Sequence, residues 1–193
     1  MARTASYDPA TVVQAAMELF WEDGFAASDV ERLTRAAGVN RHSLYKAFDG
    51  KAGLFRRALA HYVAEIAAPF IAVLEQGSGL AAIHDYFLMA SDPAHHGAPG
   101  HDRRGCLLAN SVIELGRSDP AVNAVLDPYY ARIEQQFARL IAEGQRRGEI
   151  RKTLAPAATA RWLLITSQGM GVAARHQAPT DAIPAMIRTA LVA

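Results

Sequence analysis

The chain has 193 residues, 51% of them hydrophobic and 20% charged, with 20 basic residues against 19 acidic ones. That profile excludes a disordered polypeptide and suffices for one good core or two small domains. A net charge of +1 gives no general attraction to nucleic acid, so such a partner has to be read from local charge. The opening MARTASYDPA has no apolar signal segment, and no apolar run approaches the ~18 residues of a membrane helix. One cysteine cannot form an internal disulfide. The expectation is a cytoplasmic protein without membrane contact, and no internal repeat is visible.

Taken in order, Arg3 lies on a short N-terminal arm that can touch a minor groove or simply be disordered. Asp8-Pro9 is a cap followed by proline at the first helical position. The helix it opens carries Val12, Ala16, Leu19 and Phe20 on one face and ends at Gly24. Ser28 and Glu31 have the S-x-x-E spacing of a capping box, so a second helix is expected to start at Ser28. Val30, Leu33 and Ala37 form its apolar stripe, and Gly38 stops it where a left-handed residue is needed. Asn40 caps a third helix whose buried side is Leu44 and Phe48. Helix, glycine turn and short helix is the helix-turn-helix plan, in which the second helix enters the DNA major groove. Arg41, His42 and Ser43 occupy the turn that reaches base edges, while Tyr45 and Lys46 follow toward phosphates. Asp49-Gly50-Lys51 then opens a fourth helix whose free N–H groups can hold a phosphate beside Lys51. Between residues 28 and 57 seven basic residues (Arg32, Arg35, Arg41, Lys46, Lys51, Arg56, Arg57) face three acids (Asp29, Glu31, Asp49), a local excess of +4.

The run GVNRHSLYKAF followed by DGKAGLF, preceded by WEDGF, resembles the N-terminal DNA-binding domain of the TetR/AcrR family of bacterial transcription regulators. The likeness covers roughly the first sixty residues, with Thr34 standing where the family pattern has alanine. It implies an all-α protein: a three-helix helix-turn-helix domain over residues 1–50 and a helical effector-binding and dimerisation domain over residues 51–193. Motif and resemblance together assign DNA contacts to Ser28, Thr34, Asn40, Arg41, His42, Ser43, Tyr45, Lys46 and Lys51.

The fourth helix continues through Leu54, Phe55, Ala58, Leu59, Tyr62 and Ile66, with Pro69 expected to kink or end it before Gly77. It is the mechanical link between the two parts. After a helix over residues 80–90, a loop carries His95, His96 and His101, which read as solvated rather than as metal ligands. In the next helix, from Gly105 to Gly116, Cys106, Asn110 and Glu114 share one face. That polar stripe is either a solvent face or part of a cavity. Asp119-Pro120 opens a long helix to about Gly148. The helix from Leu154 to Ala174 carries Ala160, Leu164, Ser167, Gly171 and Ala174 as a small-residue stripe, with Trp162, Ile165, Gly169 and Val172 on a face suited to the core. A last helix shows Ile183, Met186, Ile187, Ala190 and Leu191 at amphipathic spacing.

The resemblance implies that the last two helices form a homodimer's four-helix bundle, here through Leu164, Ser167, Gly171, Ile183 and Ile187. It also implies a small-molecule effector, with Phe87, Cys106, Asn110, Glu114, Tyr129 and Trp162 as its candidate contacts. The expected function is a sequence-specific transcriptional repressor, with no cofactor, no metal and no enzymatic activity. Two rivals remain open: an architectural DNA-binding protein without an effector, and an enzyme using Cys106 as nucleophile with a loop histidine as base. Cys106 itself is either an inert buried thiol or an electrophile sensor whose thiolate is favoured by a helix N-terminus and by Arg103 and Arg104.

Overall fold

The computed structural model describes residues 7–92 and 104–193, and the histidine loop, Arg3 and Arg103 lie outside them. Among the described residues the secondary structure is helical, apart from one isolated antiparallel bridge between Ile150 and Val192. The helices are α1 (Pro9–Asp23), α2 (Val30–Ala37), α3 (Arg41–Phe48), α4 (Gly50–Tyr62), α5 (Ala68–Gln76) and α6 (Gly79–Ser91), then α7 (Leu107–Leu115), α8 (Pro120–Arg146), α9 (Pro156–Arg175) and α10 (Ile183–Leu191). They form two compact units: Met1–Ile66 with Ser111–Val125, and Ala67–Asn110 with Leu126–Ala193.

In the first unit the expected caps at Asp8 and Asn40 are present: Asp8 accepts from the N–H groups of Ala10 and Thr11, and Asn40 from that of Ser43 at 2.8 Å. The cap of α2 is one residue later than expected. Asp29 accepts from the N–H of Arg32 at 2.7 Å, while Ser28 is fully buried and donates to the carbonyl of Gly24. Glu31 pairs with Arg35 one turn on, so no capping box forms. Gly38 has φ +65°, the left-handed conformation that lets α2 stop and α3 start at once. The core gathers Phe20, Trp21, Leu33, Leu44, Phe48 and Leu54, with Phe55 4.8 Å from the Phe20 ring and Tyr62 5.0 Å from that of Trp21. α4 is therefore part of this unit.

Pro69 does not break the chain's course. A π-helical turn at Val63–Ala67 restarts the helix, and Pro69 falls in the first turn of α5, where its missing N–H costs nothing. Residues Gly50–Gln76 thus form a 27-residue helical run whose most apolar 18-residue stretch has mean hydropathy 1.4, enough by length and composition to cross a membrane. This corrects the expectation that no such run exists. Its apolar residues have protein partners: Leu54, Phe55, Ala58 and Leu59 are buried in one unit, Ile71 and Leu74 in the other.

The second unit is centred on Phe87 and Phe137, stacked 5.7 Å apart, with Tyr86 edge-on to both. Leu74, Ile83, Leu140, Ile141, Ile150, Leu163, Ile187 and Leu191 complete the core. The faces of α9 and α10 are the reverse of the expected ones. Leu164, Gly171 and Ile187 are buried within the chain, Ile183 packs on the same core, and Ser167 is half-buried. Gly171 is small because Cys106 lies against it: a Cβ there would stand 2.7 Å from that of Cys106. The small-residue stripe thus packs mainly within the chain, with Ser167 and Ala174 left half-buried. Trp162, Ile165, Gly169 and Val172 of α9 and Met186 of α10 are exposed instead.

Candidate DNA-binding surface and effector cavity

A helix of eight residues is too short to persist alone, so α3 is held by burying Leu44 and Phe48 completely. That fixes its opposite side. Arg41, His42, Tyr45 and Lys46 are exposed, Ser43 is half-buried, and the Arg41 guanidinium lies 5.7 Å from the centre of the Tyr45 ring. Asn40 spends its side-chain oxygen on the helix cap, so its part is to set the start of α3. Thr34 is half-buried and donates to the carbonyl of Glu31. Ser28, buried in the α1–α2 turn, cannot touch DNA. Lys51 is half-buried, its ammonium 3.3 Å from the carbonyl oxygen of Ala26 and 4.5 Å above the Phe25 ring. Behind α3 an open groove of about 460 Å³ is lined by Tyr45, Lys46, Arg56 and Arg57 among others. The two arginines were visible in the sequence only as part of the local charge excess.

In the second unit a small cavity of about 40 Å³ is lined by Tyr86, Cys106, Tyr129, Tyr130, Ser167 and Gln168, with Ala109, Ile133 and Leu164 as its apolar wall. Of the predicted effector contacts it contains Cys106 and Tyr129. Phe87 belongs to the aromatic core, Asn110 donates to the carbonyl of Arg104 at 2.9 Å, and Trp162 is 43% exposed. Glu114 is committed elsewhere, accepting hydrogen bonds from the N–H groups of Phe25 and Ala26 in the first unit. Sequence reasoning missed Tyr86, Tyr130, Ser167 and Gln168, because an aromatic beside Phe87 and a serine on a small-residue stripe both read as packing. Cys106 immediately precedes α7: its carbonyl accepts from the N–H of Asn110, and its own N–H donates to the carbonyl of Gly171. Burial pushes the Tyr86 phenol up to about 12, partly countered by its hydrogen bond with Ser167. Burial likewise raises Tyr129 and Tyr130 well above the usual range. At neutral pH these side chains offer O–H donors rather than charge.

Against known proteins, the pattern described as "Bacterial regulatory proteins, tetR family" matches residues 12–58, and "Tetracyclin repressor-like, C-terminal domain" matches residues 80–190. The chain belongs to the TetR family. It is 29% identical over 192 residues to the HTH-type transcriptional repressor ComR of Escherichia coli (strain K12), covering 98% of this chain and 90% of that protein. The HTH-type transcriptional repressor DhaR of Mycobacterium sp. (strain GP1) is 28% identical over 160 residues, covering 82% and 77% of the two chains. Among solved structures, a cysteine mutant of the TetR family transcriptional regulator CifR complexed with 26bp double-strand operator DNA has a TM-score of 0.80 and 25% identity, covering 98% of this chain and 97% of that one. The helix-turn-helix and the cavity of this TetR-family chain fall within the two matched stretches.

The cavity tyrosines make stability depend on alkaline pH. A phenol whose folded-state pKa lies above its unfolded value keeps its proton while the unfolded chain loses one, so stability is intact below about pH 10 and falls as pH rises toward 12. Tyr86 alone contributes a loss of about 2–3 kcal/mol across that window. Urea unfolding at pH 8 and at steps up to pH 11.5 is expected to show this decline, and Tyr86→Phe to make it shallower.

Proposed function

We propose that the chain is a homodimeric transcriptional repressor that reads operator DNA with α3 of each protomer and leaves it when a small molecule enters the tyrosine-lined cavity. The observation that carries the reading is the first turn of α3, where Arg41 and His42 stand exposed on a helix anchored by buried Leu44 and Phe48. Arg41 has the geometry to donate bidentately to a guanine edge, while Tyr45, Lys46 and Lys51 serve phosphates and carry no sequence information. ComR is named a repressor and CifR is described with operator DNA, which supports the same assignment here. A regulator of this kind works in the compartment that holds the DNA.

Two-fold operators require two recognition helices about one DNA turn, ~34 Å, apart, and hence a dimer. The face available for it is Trp162, Ile165 and Val172 around the open surface of Gly169, with Met186 of α10. Exposed apolar side chains in such a row are rare on a monomer and suit a close helix–helix interface. The effector is a small electrophile or a small molecule with hydrogen-bond acceptors. Cys106 supplies the nucleophile beside the start of α7, and the three phenols supply donors.

Three outcomes follow. Arg41→Ala costs about 1–3 kcal/mol of binding and relaxes preference at one base position, read by comparing selected with randomised duplexes at fixed salt. An architectural protein would show no such preference. Ile165→Asp places an unpaired carboxylate in the interface and yields a folded monomer in sedimentation velocity, whereas Ile187→Asp, inside the core, costs about 3–5 kcal/mol and unfolds the second unit. N-ethylmaleimide, whose double bond adds the Cys106 thiolate while the adjacent carbon takes a proton from water, releases wild-type protein from its selected duplex; Cys106→Ser binds equally well and is insensitive. A native thiol that stays unmodified, or modified protein with unchanged affinity, removes the electrophile reading.

A further inference from the structure

The residue whose position was least expected is Glu114. It reaches 89 residues back along the chain to the turn between α1 and α2, where its carboxylate accepts from the N–H of Phe25 at 2.8 Å and from that of Ala26 at 2.6 Å. Two successive N–H groups pointing the same way form an anion-binding nest, and a carboxylate satisfies both with charge-assisted bonds. Gly24 is tied down as well: its N–H goes to the carbonyl of Phe20, and its carbonyl takes the Ser28 hydroxyl. The carbonyl of Ala26 holds the ammonium of Lys51 at 3.3 Å. The Phe25 ring forms the other half of that seat at 4.5 Å, and is itself braced by Phe55 at 4.9 Å. Ala26 is therefore gripped at both of its backbone groups, by Glu114 through its N–H and by Lys51 through its carbonyl. All of these residues belong to the first unit.

From this juxtaposition we propose that Glu114 is a positioning residue for DNA binding: by fixing the Phe25–Ala26 turn it seats Lys51 for its phosphate contact. The inference rests on the reading of Lys51 as that contact. An ammonium carries three donors, so the bond to Ala26 leaves two for a phosphate. A lysine stem held in advance by a carbonyl and a ring loses less freedom when DNA arrives than one moving in solvent. Removing the carboxylate frees two N–H groups, loosens the turn and turns Lys51 into an ordinary mobile side chain. Glu114 itself never touches DNA in this scheme.

The test uses the full-length protein and the duplex that the wild type enriches from a randomised library. Affinity and its salt dependence are measured by fluorescence anisotropy for Lys51→Ala, Glu114→Gln, Glu114→Ala and the Lys51→Ala/Glu114→Gln double variant. Lys51→Ala is expected to lower the slope of log K against log salt by about one unit, with a loss of about tenfold in affinity. Glu114→Gln, which keeps the size of the side chain but can accept from only one of the two N–H groups, reproduces part of both effects with base preferences unchanged. The double variant is no weaker than Lys51→Ala alone, the mark of two residues acting through one contact. Thermal melting controls for folding, and the glutamine variant carries the test if alanine unfolds the turn. A wild-type slope in Glu114→Gln overturns the proposal, and so do losses that add in full in the double variant. A wild-type slope in Lys51→Ala overturns instead the phosphate reading on which it rests, and is recognised by that single variant.

Discussion

The constraint on which the rest depends is the shortness of α3. Eight residues are fewer than a helix needs to persist in water, since the cost of nucleating the first turn is repaid only over several more. Its geometry must therefore be imposed from outside, by the Asn40 cap at one end and by burial of Leu44 and Phe48 along one side. The aromatic cluster of Phe20, Phe25 and Phe55 stiffens the same unit, and two of those rings come from α1 and its following turn. A recognition helix defined by its surroundings can be re-aimed by them. That is useful in a regulator and a liability in a static anchor.

The boundaries between the two units fall at telling places in the chain. One lies within the π-helical turn Val63–Ala67, one within α7 and one within α8. Each of these boundaries thus falls inside a helical segment rather than in a loop. Wide turns of this π kind interrupt the regular ladder and recur at functional positions. α7 is the shortest of the three connections. It begins beside Cys106, which lines the cavity, and carries Glu114 one residue before its end, where the carboxylate holds the turn between α1 and α2.

Most of the first unit was legible in the sequence because its signals are local. A cap, a glycine at a left-handed position and apolar residues at spacings of three and four each depend on near neighbours only. Ser28 shows the limit: Ser28 and Asp29 can both cap, and the choice is decided by the carbonyl of Gly24, which claims the serine hydroxyl. The second unit was harder to read, for a different reason. Two faces of α9 are apolar enough to be buried, so periodicity could not tell which of them meets the chain's own core. Gly171 was small because Cys106 presses on it from beside α7's start, and Ile165 was free to be large because it stands exposed. Glu114 was assigned to the right helix face and the wrong partner, since a contact 89 residues away leaves no trace in local spacing.

The cavity's size adds the last step. At about 40 Å³ it holds a water molecule or a few atoms, whereas pockets for drug-sized ligands run to several hundred. If the proposed effector is larger than that, its entry displaces Tyr86, Tyr129 or Tyr130, and Tyr86 is part of the ring cluster with Phe87 and Phe137 at the centre of the second unit. Close-packed interiors do not deform continuously, so entry of a ligand selects another packing of these rings rather than a slight swelling. A small covalent adduct on Cys106 meets the same walls with less freedom to leave. In the proposed scheme, a cavity this tight lets a few added atoms disturb the ring cluster beside it.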